Sequence, residues 1–184
     1  MASYCFTVFA GSKVGVRPEY LTAAKELGKA LAERRCSLIY GGSSLGLLGA
    51  VAKSVEDHGG KVTGILPKFF AEREGHTAIG EEVLVEDLAA RKVIMLEKSD
   101  GFIALPGGFG TLDEFFEVLV LRQLNQSKSP IGLLNVSNYY QHLTKLTDFV
   151  VDEGFAIQDH RNLFLVSDKP VQLVDMLIGN LKGN

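Results

Sequence analysis

Short apolar runs alternate with longer amphipathic stretches along almost the whole chain, and three of the runs lead into glycine-rich turns. This alternation constrains the fold more than any other feature. Residues 4–10 are strand-like and stop at Gly11-Ser12; residues 18–35 carry apolar positions at helical spacing, with Pro18 suited to a first turn. The pattern then repeats. Strands are predicted over 36–40, 61–66, 82–85, 101–105, 131–134 and 163–166. Helices are predicted to about His58 and over 87–98, 111–124, 138–152 and 170–181, with an irregular polar segment at 69–80. Strand and helix alternation of this kind implies an open, mostly parallel α/β sheet with helices on both faces. The runs Gly101-Phe102-Ile103-Ala104-Leu105 and Ile131-Gly132-Leu133-Leu134 are apolar at every position, as doubly buried parallel strands are. At 184 residues the chain is expected to form a single nucleotide-binding α/β domain, 1–184.

Ligands of such sheets bind beyond the carboxyl ends of the strands. Three glycine-rich turns fall there: Gly11-Ser12, Gly41-Gly42-Ser43-Ser44 and Pro106-Gly107-Gly108-Phe109-Gly110-Thr111. In the third, glycines at 107, 108 and 110 exceed what one tight turn requires. Glycine lets the backbone approach a ligand closely. The first amides of a helix opening at Thr111 would be unpaired at the positive end of its dipole, which suits a phosphate. The turn is no standard dinucleotide fingerprint, because Asp113 stands where the third glycine belongs. Gly41 to Gly46 has phosphate-loop glycine spacing, but Leu47 replaces the lysine that such a loop needs.

Two charged positions add chemistry. Thr111-x-x-Glu114 fits a capping box, and Glu114 is equally a carboxylate one turn from the phosphate loop, in reach of a sugar on that phosphate. Leu88 and Met95 share the helical face of Arg91, with Lys92 beside it. Cations on an apolar face call for an anionic partner, either a carboxylate or a ligand phosphate. The helix over 111–124 is apolar nearly all round, which predicts burial on all sides, most simply in a symmetric dimer.

Composition excludes other classes. Nineteen basic residues against twenty-two acidic ones give a net charge of −3, which leaves no electrostatic footprint for nucleic acid or a membrane surface. The longest uncharged run, 36–52, is broken by Gly41, Gly42, Ser43, Ser44, Gly46 and Gly49 and is a poor membrane span. The start Met1-Ala2-Ser3-Tyr4 has no basic leader region, and Cys5 and Cys36 lie in strand-like runs, so reduced buried thiols and a cytoplasmic location are expected. His58, His76, His142 and His160 are scattered without metal-ligand spacing.

The segment Pro106 to Glu114 matches the PGGxGTxxE motif of the LOG ("Lonely guy") proteins, and Arg91-Lys92 matches that family's upstream basic pair. The resemblance extends to Phe9-Ala10-Gly11-Ser12, to Tyr40 through Gly49, to Ser99-Asp100-Gly101-Phe102, to Gly132 through Val136 and to Glu153-Gly154-Phe155. It implies a modified Rossmann-like sheet and a homodimer with the site near the subunit boundary. It also implies hydrolysis of adenosine-type nucleoside 5′-monophosphates (AMP or a cytokinin riboside monophosphate) to free base and ribose 5-phosphate, without metal or cofactor. By position Arg91 and Glu114 would be the catalytic pair. Lys92 and the loop Gly107, Gly108, Phe109, Gly110, Thr111, with Leu112, Asp113, Gly11, Ser12 and Gly42, would bind substrate, and Glu74 aligns loosely with a ligand-contacting Glu. Leu88-Ala89-Ala90 and Val120-Leu121 depart from residues the family commonly shows, and Ser43 replaces a glycine. A non-catalytic nucleotide or molybdenum-cofactor carrier is the alternative on the same fold. It would use the Pro-Gly-Gly loop but would not need Arg91 and Glu114 together. Lysine decarboxylation would need pyridoxal phosphate on a Schiff-base lysine, and no lysine is singled out for that.

Overall fold

Among the described residues seven parallel strands form one sheet. The computed structural model describes residues 4–71 and 78–183. In chain order the elements are β1 (Cys5–Phe9), α1 (Pro18–Glu33), β2 (Ser37–Tyr40), α2 (Gly46–Asp57), β3 (Val62–Pro67), α3 (Lys68–Ala71), β4 (Glu81–Val85), α4 (Leu88–Glu97), β5 (Gly101–Ala104), α5 (Phe109–Gln123), β6 (Ile131–Leu134), α6 (Gln141–Asp152), β7 (Leu165–Ser167) and α7 (Pro170–Gly183). The strand and helix alternation therefore stands, with ends displaced by one or two residues in most cases.

Strand pleating divides the core in two. Leu38 and Tyr40 face a layer built from α1, α2 and α7, whereas Ile39 faces the opposite layer with Phe102, Leu133, Met95 and Phe115. The first layer is tight. A Cβ on Gly28 of α1 would lie 2.6 Å from the Ser54 side chain and from the Val51 carbonyl of α2, so glycine sets how closely the two helices approach. The second layer is incomplete. Helix α5 buries only Thr111, Phe115 and Val118 and leaves Phe116, Val120 and Leu124 exposed, while α6 buries none of its residues. Expected burial of α5 on all sides is thus not met within one chain, because the helix rests on the sheet by a single stripe. Among the described residues no helix is long and apolar enough to cross a membrane.

From β1 the chain winds outward to β2, β3 and β4 on one side, and it returns to β5 on the other side of β1. The reversal of strand order lies between β1 and β5, and a crevice opens at such a point beyond the strand ends. Gly11-Ser12 and the Pro106–Gly108 turn sit at its two lips. They are tied directly, Gly11 N donating to the Pro106 carbonyl at 3.1 Å.

Candidate active site

A cleft of about 370 Å³ occupies the reversal point. Gly11 and Ser12 line it from the β1 end, Arg91 and Lys92 from α4, and Gly108, Gly110, Thr111, Asp113 and Glu114 from the turn and first half of α5. Ala10, Leu48, Phe70 and Leu88 complete an apolar wall.

Helix α5 begins at Phe109 with Gly108 as its N-cap residue, two positions earlier than the glycines suggest. Thr111 is therefore inside the helix and no capping box forms. Gly108 has no side chain to cap with, and the amides of Phe109, Gly110 and Thr111 have no hydrogen-bond partner among the described residues. Unpaired amides at the positive end of a helix suit an anion, and Gly110 and Thr111 line the cleft. Helix α2 makes the contrast. Its Leu47 and Leu48 amides both donate to the Gly11 carbonyl, at 2.9 and 3.3 Å, so two amides of its first turn are already taken.

The α5 turn is held from below. The Tyr140 hydroxyl donates to the Leu105 carbonyl and the Tyr139 hydroxyl to the Gly107 carbonyl. Burial pushes the Tyr140 phenol well above its ordinary value, so it stays a donor. A Cβ on Gly107 would lie 2.1 Å from Thr111 Oγ1 and 2.9 Å from Gly11 N, whereas a Cβ on Gly108 or Gly110 would meet nothing within 4 Å. Gly107 is thus demanded by packing. Gly108 and Gly110 keep open the space in front of the amides.

Glu114 sits five residues past the start of α5 and meets Arg91 of α4, with Nη2 donating to Oε1 at 3.0 Å and both side chains only 14% exposed. Burial raises the Glu114 pKa above the ordinary carboxylate value, and Arg91 and then Lys92 oppose that rise. Lys92 turns the other way. Its Nζ lies 2.7 Å from Asp113 and 3.0 Å from Glu117. Burial disfavours its charge, but the hydrogen bonds to Asp113 and Glu117 outweigh this and hold its pKa above the ordinary lysine value.

Comparison with known proteins fits this geometry. A family model described as "possible lysine decarboxylase" matches residues 48–177. The chain is 44% identical over 172 residues to the probable cytokinin riboside 5′-monophosphate phosphoribohydrolase LOG4 of Oryza sativa subsp. japonica, covering 92% of this chain and 74% of that protein. It is 45% identical over 172 residues to the cytokinin riboside 5′-monophosphate phosphoribohydrolase LOG7 of Arabidopsis thaliana, covering 92% and 79%. The chain belongs to the LOG family. Among solved structures, the molybdenum cofactor carrier protein of Chlamydomonas reinhardtii has a TM-score of 0.72 at 22% identity over 100% of both chains, which shows a shared fold.

The residues of the LOG motif divide by position. Arg91, Lys92, Gly11, Ser12, Gly108, Gly110, Thr111, Asp113 and Glu114 line one cleft. Gly107 lines the adjoining cleft, which shares Gly11, Ser12 and Gly108. Phe109 is 91% exposed and outside the cleft lining, and Leu112 packs against the second core layer. Gly42, at φ +79, is a turn residue whose Cβ would face Leu66. Glu74 lies outside the described residues. Leu88, placed with Met95 on one apolar face by helical spacing, is half exposed at the cleft while Met95 is buried. Leu48, Phe70, Tyr139 and Tyr140 escaped the sequence reading, since nothing local marks them as neighbours of the LOG motif.

Proposed function

We propose that this chain hydrolyses the N-glycosidic bond of adenosine-type nucleoside 5′-monophosphates, a cytokinin riboside monophosphate or AMP, to free base and ribose 5-phosphate. The observation that carries the reading is the buried Arg91–Glu114 pair beside the unpaired amides of α5 in one cleft. The relatives' names point to the same reaction.

The 5′-phosphate takes the Phe109–Thr111 amides, and this binding positions the sugar remote from the bond that breaks. Cleavage passes through an oxocarbenium-like state. The Glu114 carboxylate binds a ribose hydroxyl, steadies the developing positive charge and orients the attacking water. The hydroxyl of that water ends on C1′ and its proton on the departing base. Arg91 orients Glu114 and assists the base as it leaves. A carboxylate raised by burial accepts a proton more readily near neutral pH than an ordinary one, which suits this task.

The working form is a homodimer in the cytoplasm. Exposed Phe116, Val120 and Leu124 on α5 and Leu146 and Phe149 on α6 supply an apolar surface that a second copy covers, and Cys5 and Cys36 are free thiols. The test is chromatographic base release from AMP, N6-isopentenyladenosine 5′-monophosphate and the two dephosphorylated nucleosides. Release from the monophosphates alone, lost in Arg91→Ala/Glu114→Ala, supports the reading. Tight nucleotide binding with no base released refutes it in favour of a carrier.

A further inference from the structure

Gly41 directly follows the last residue of β2, fifty residues before Arg91, and it is buried. Its backbone is not in the left-handed region, which Gly42 beside it does occupy. No turn geometry therefore demands glycine at 41. Sterics do. A Cβ there would lie 2.1 Å from Arg91 Nη2, 3.0 Å from Cζ and 3.7 Å from Nε. All three nearest atoms belong to the Arg91 guanidinium, and Nη2 is the atom that donates to Glu114. The Nε of Arg91 is buried without a hydrogen-bond partner among the described residues. One hydrogen bond alone leaves a planar group free to turn, so packing has to fix the rest of its orientation.

We infer that Gly41 is a positioning residue: its bare α-carbon is the seat on which the Arg91 guanidinium lies flat, and only this seat lets Nη2 reach Glu114. The inference rests on the Arg91–Glu114 pair being the catalytic one. A methyl group at 41 needs the space Nη2 occupies. The obstacle is the far end of a flexible side chain rather than backbone, so Gly41→Ala folds and Arg91 yields. Glu114 then keeps its burial and loses its nearest cation.

The experiment compares wild type, Gly41→Ala, Arg91→Ala and the double variant by base release across pH and by thermal melting. Gly41→Ala is expected to lower kcat by roughly 10²-fold, the scale of a misplacement of about 1 Å. It should also move the acidic limb of its pH profile upward, since Arg91 no longer holds the Glu114 pKa down. Any fall in Tm caused by Gly41→Ala should vanish in the Arg91→Ala background, where no guanidinium remains to displace. Wild-type turnover and pH profile in Gly41→Ala would overturn the inference, as would an equal fall in Tm in both backgrounds, which marks a backbone role. If wild type releases base and Gly41→Ala does so equally, the seat alone fails. If wild type releases none, the hydrolase reading fails, and the melting cycle still decides whether Gly41 seats Arg91.

Discussion

Replacing Arg91 by Met should make the stability of the protein depend on pH in a way that reports on Glu114. In the wild type the two side chains are 3.0 Å apart and each is 14% exposed. Removing one partner of a buried pair leaves an uncompensated charge, which costs about 3–5 kcal/mol when that charge persists. Glu114 has an escape, because it can take up a proton. The cost is then capped at about 1.36 kcal/mol for each pH unit above the ordinary Glu value of about 4.3. That cap is about 1 kcal/mol at pH 5 and about 3.7 kcal/mol at pH 7. The sign follows from the raised pKa. Losing Arg91 raises it further in the folded state, so the variant loses stability as pH climbs above the unfolded value. The loss levels off once the folded carboxyl ionises. Urea unfolding of wild type, Arg91→Met and Arg91→Met/Glu114→Gln at pH 5, 6, 7 and 8 measures this. The deficit of Arg91→Met relative to wild type should grow between pH 5 and pH 7 by at most about 2.7 kcal/mol, the difference between the two caps, and by less to the extent that burial already raises the wild-type Glu114 pKa; the added Gln should abolish that growth. A deficit equal at every pH, or unchanged by Gln, would refute the claim that an unpaired Glu114 charge is what the fold cannot hold.

Glu114→Gln should lower base release by about 10²-fold or more while leaving the protein folded by circular dichroism, as loss of a positioned base does. In the wild type the acidic limb of kcat/KM should fall above the ordinary Glu range, because burial raises the Glu114 pKa, and a pH–rate series reads it directly. Gly108→Ala should melt at the wild-type temperature but bind AMP more weakly, since its methyl enters the open cleft. Gly107→Ala should lose soluble protein or several degrees of Tm, since its methyl meets Thr111 and Gly11. Val120→Asp should convert a dimer into a folded monomer by light scattering, and an unchanged mass would show that the exposed α5 stripe is not the interface.

The sheet was legible in the sequence because its signals are local. Short apolar runs mark strands such as β5 and β6, and helical spacing runs long through α1, so these elements declare themselves within a few residues. The start of α5 was not legible. Glycines at 108 and 110 are poor helix formers, and the backbone before the first turn is held by Gly11, Tyr139 and Tyr140 from the connections that follow β1 and β6. The same distance hid the partner of Glu114. Thr111 and Glu114 are three apart and suggest a cap, yet the carboxylate meets a guanidinium twenty-three residues away on another helix. Sequence spacing could assign Arg91 an anionic partner, but not say which one. Tertiary packing also decided α5, whose apolar circumference exceeds what one face of one sheet can cover.

Arg91 and Lys92 are adjacent in sequence and differ in role because a helix turns about 100° per residue. Both line the cleft, but Arg91 reaches Glu114, while Lys92 reaches Asp113 and Glu117, which stand one helical turn apart on α5 and share its ammonium. Lys92, Asp113 and Glu117 are 27%, 63% and 35% exposed, so these pairs contribute at most about 1 kcal/mol each. Their effect is alignment. They tie α4 to α5 one residue away from Arg91, beside its approach to Glu114. Lys92→Met and Asp113→Asn/Glu117→Gln should then behave alike, lowering kcat several-fold with KM nearly constant, because each dissolves the same clamp. A Lys92 that instead holds the substrate phosphate gives a different split. KM would rise about tenfold or more in Lys92→Met, the scale of a lost charge-assisted hydrogen bond, and stay flat or fall in the carboxylate variant. Steady-state kinetics on the two variants side by side separate these outcomes, and the second would move Lys92 from aligning the helices to binding the nucleotide.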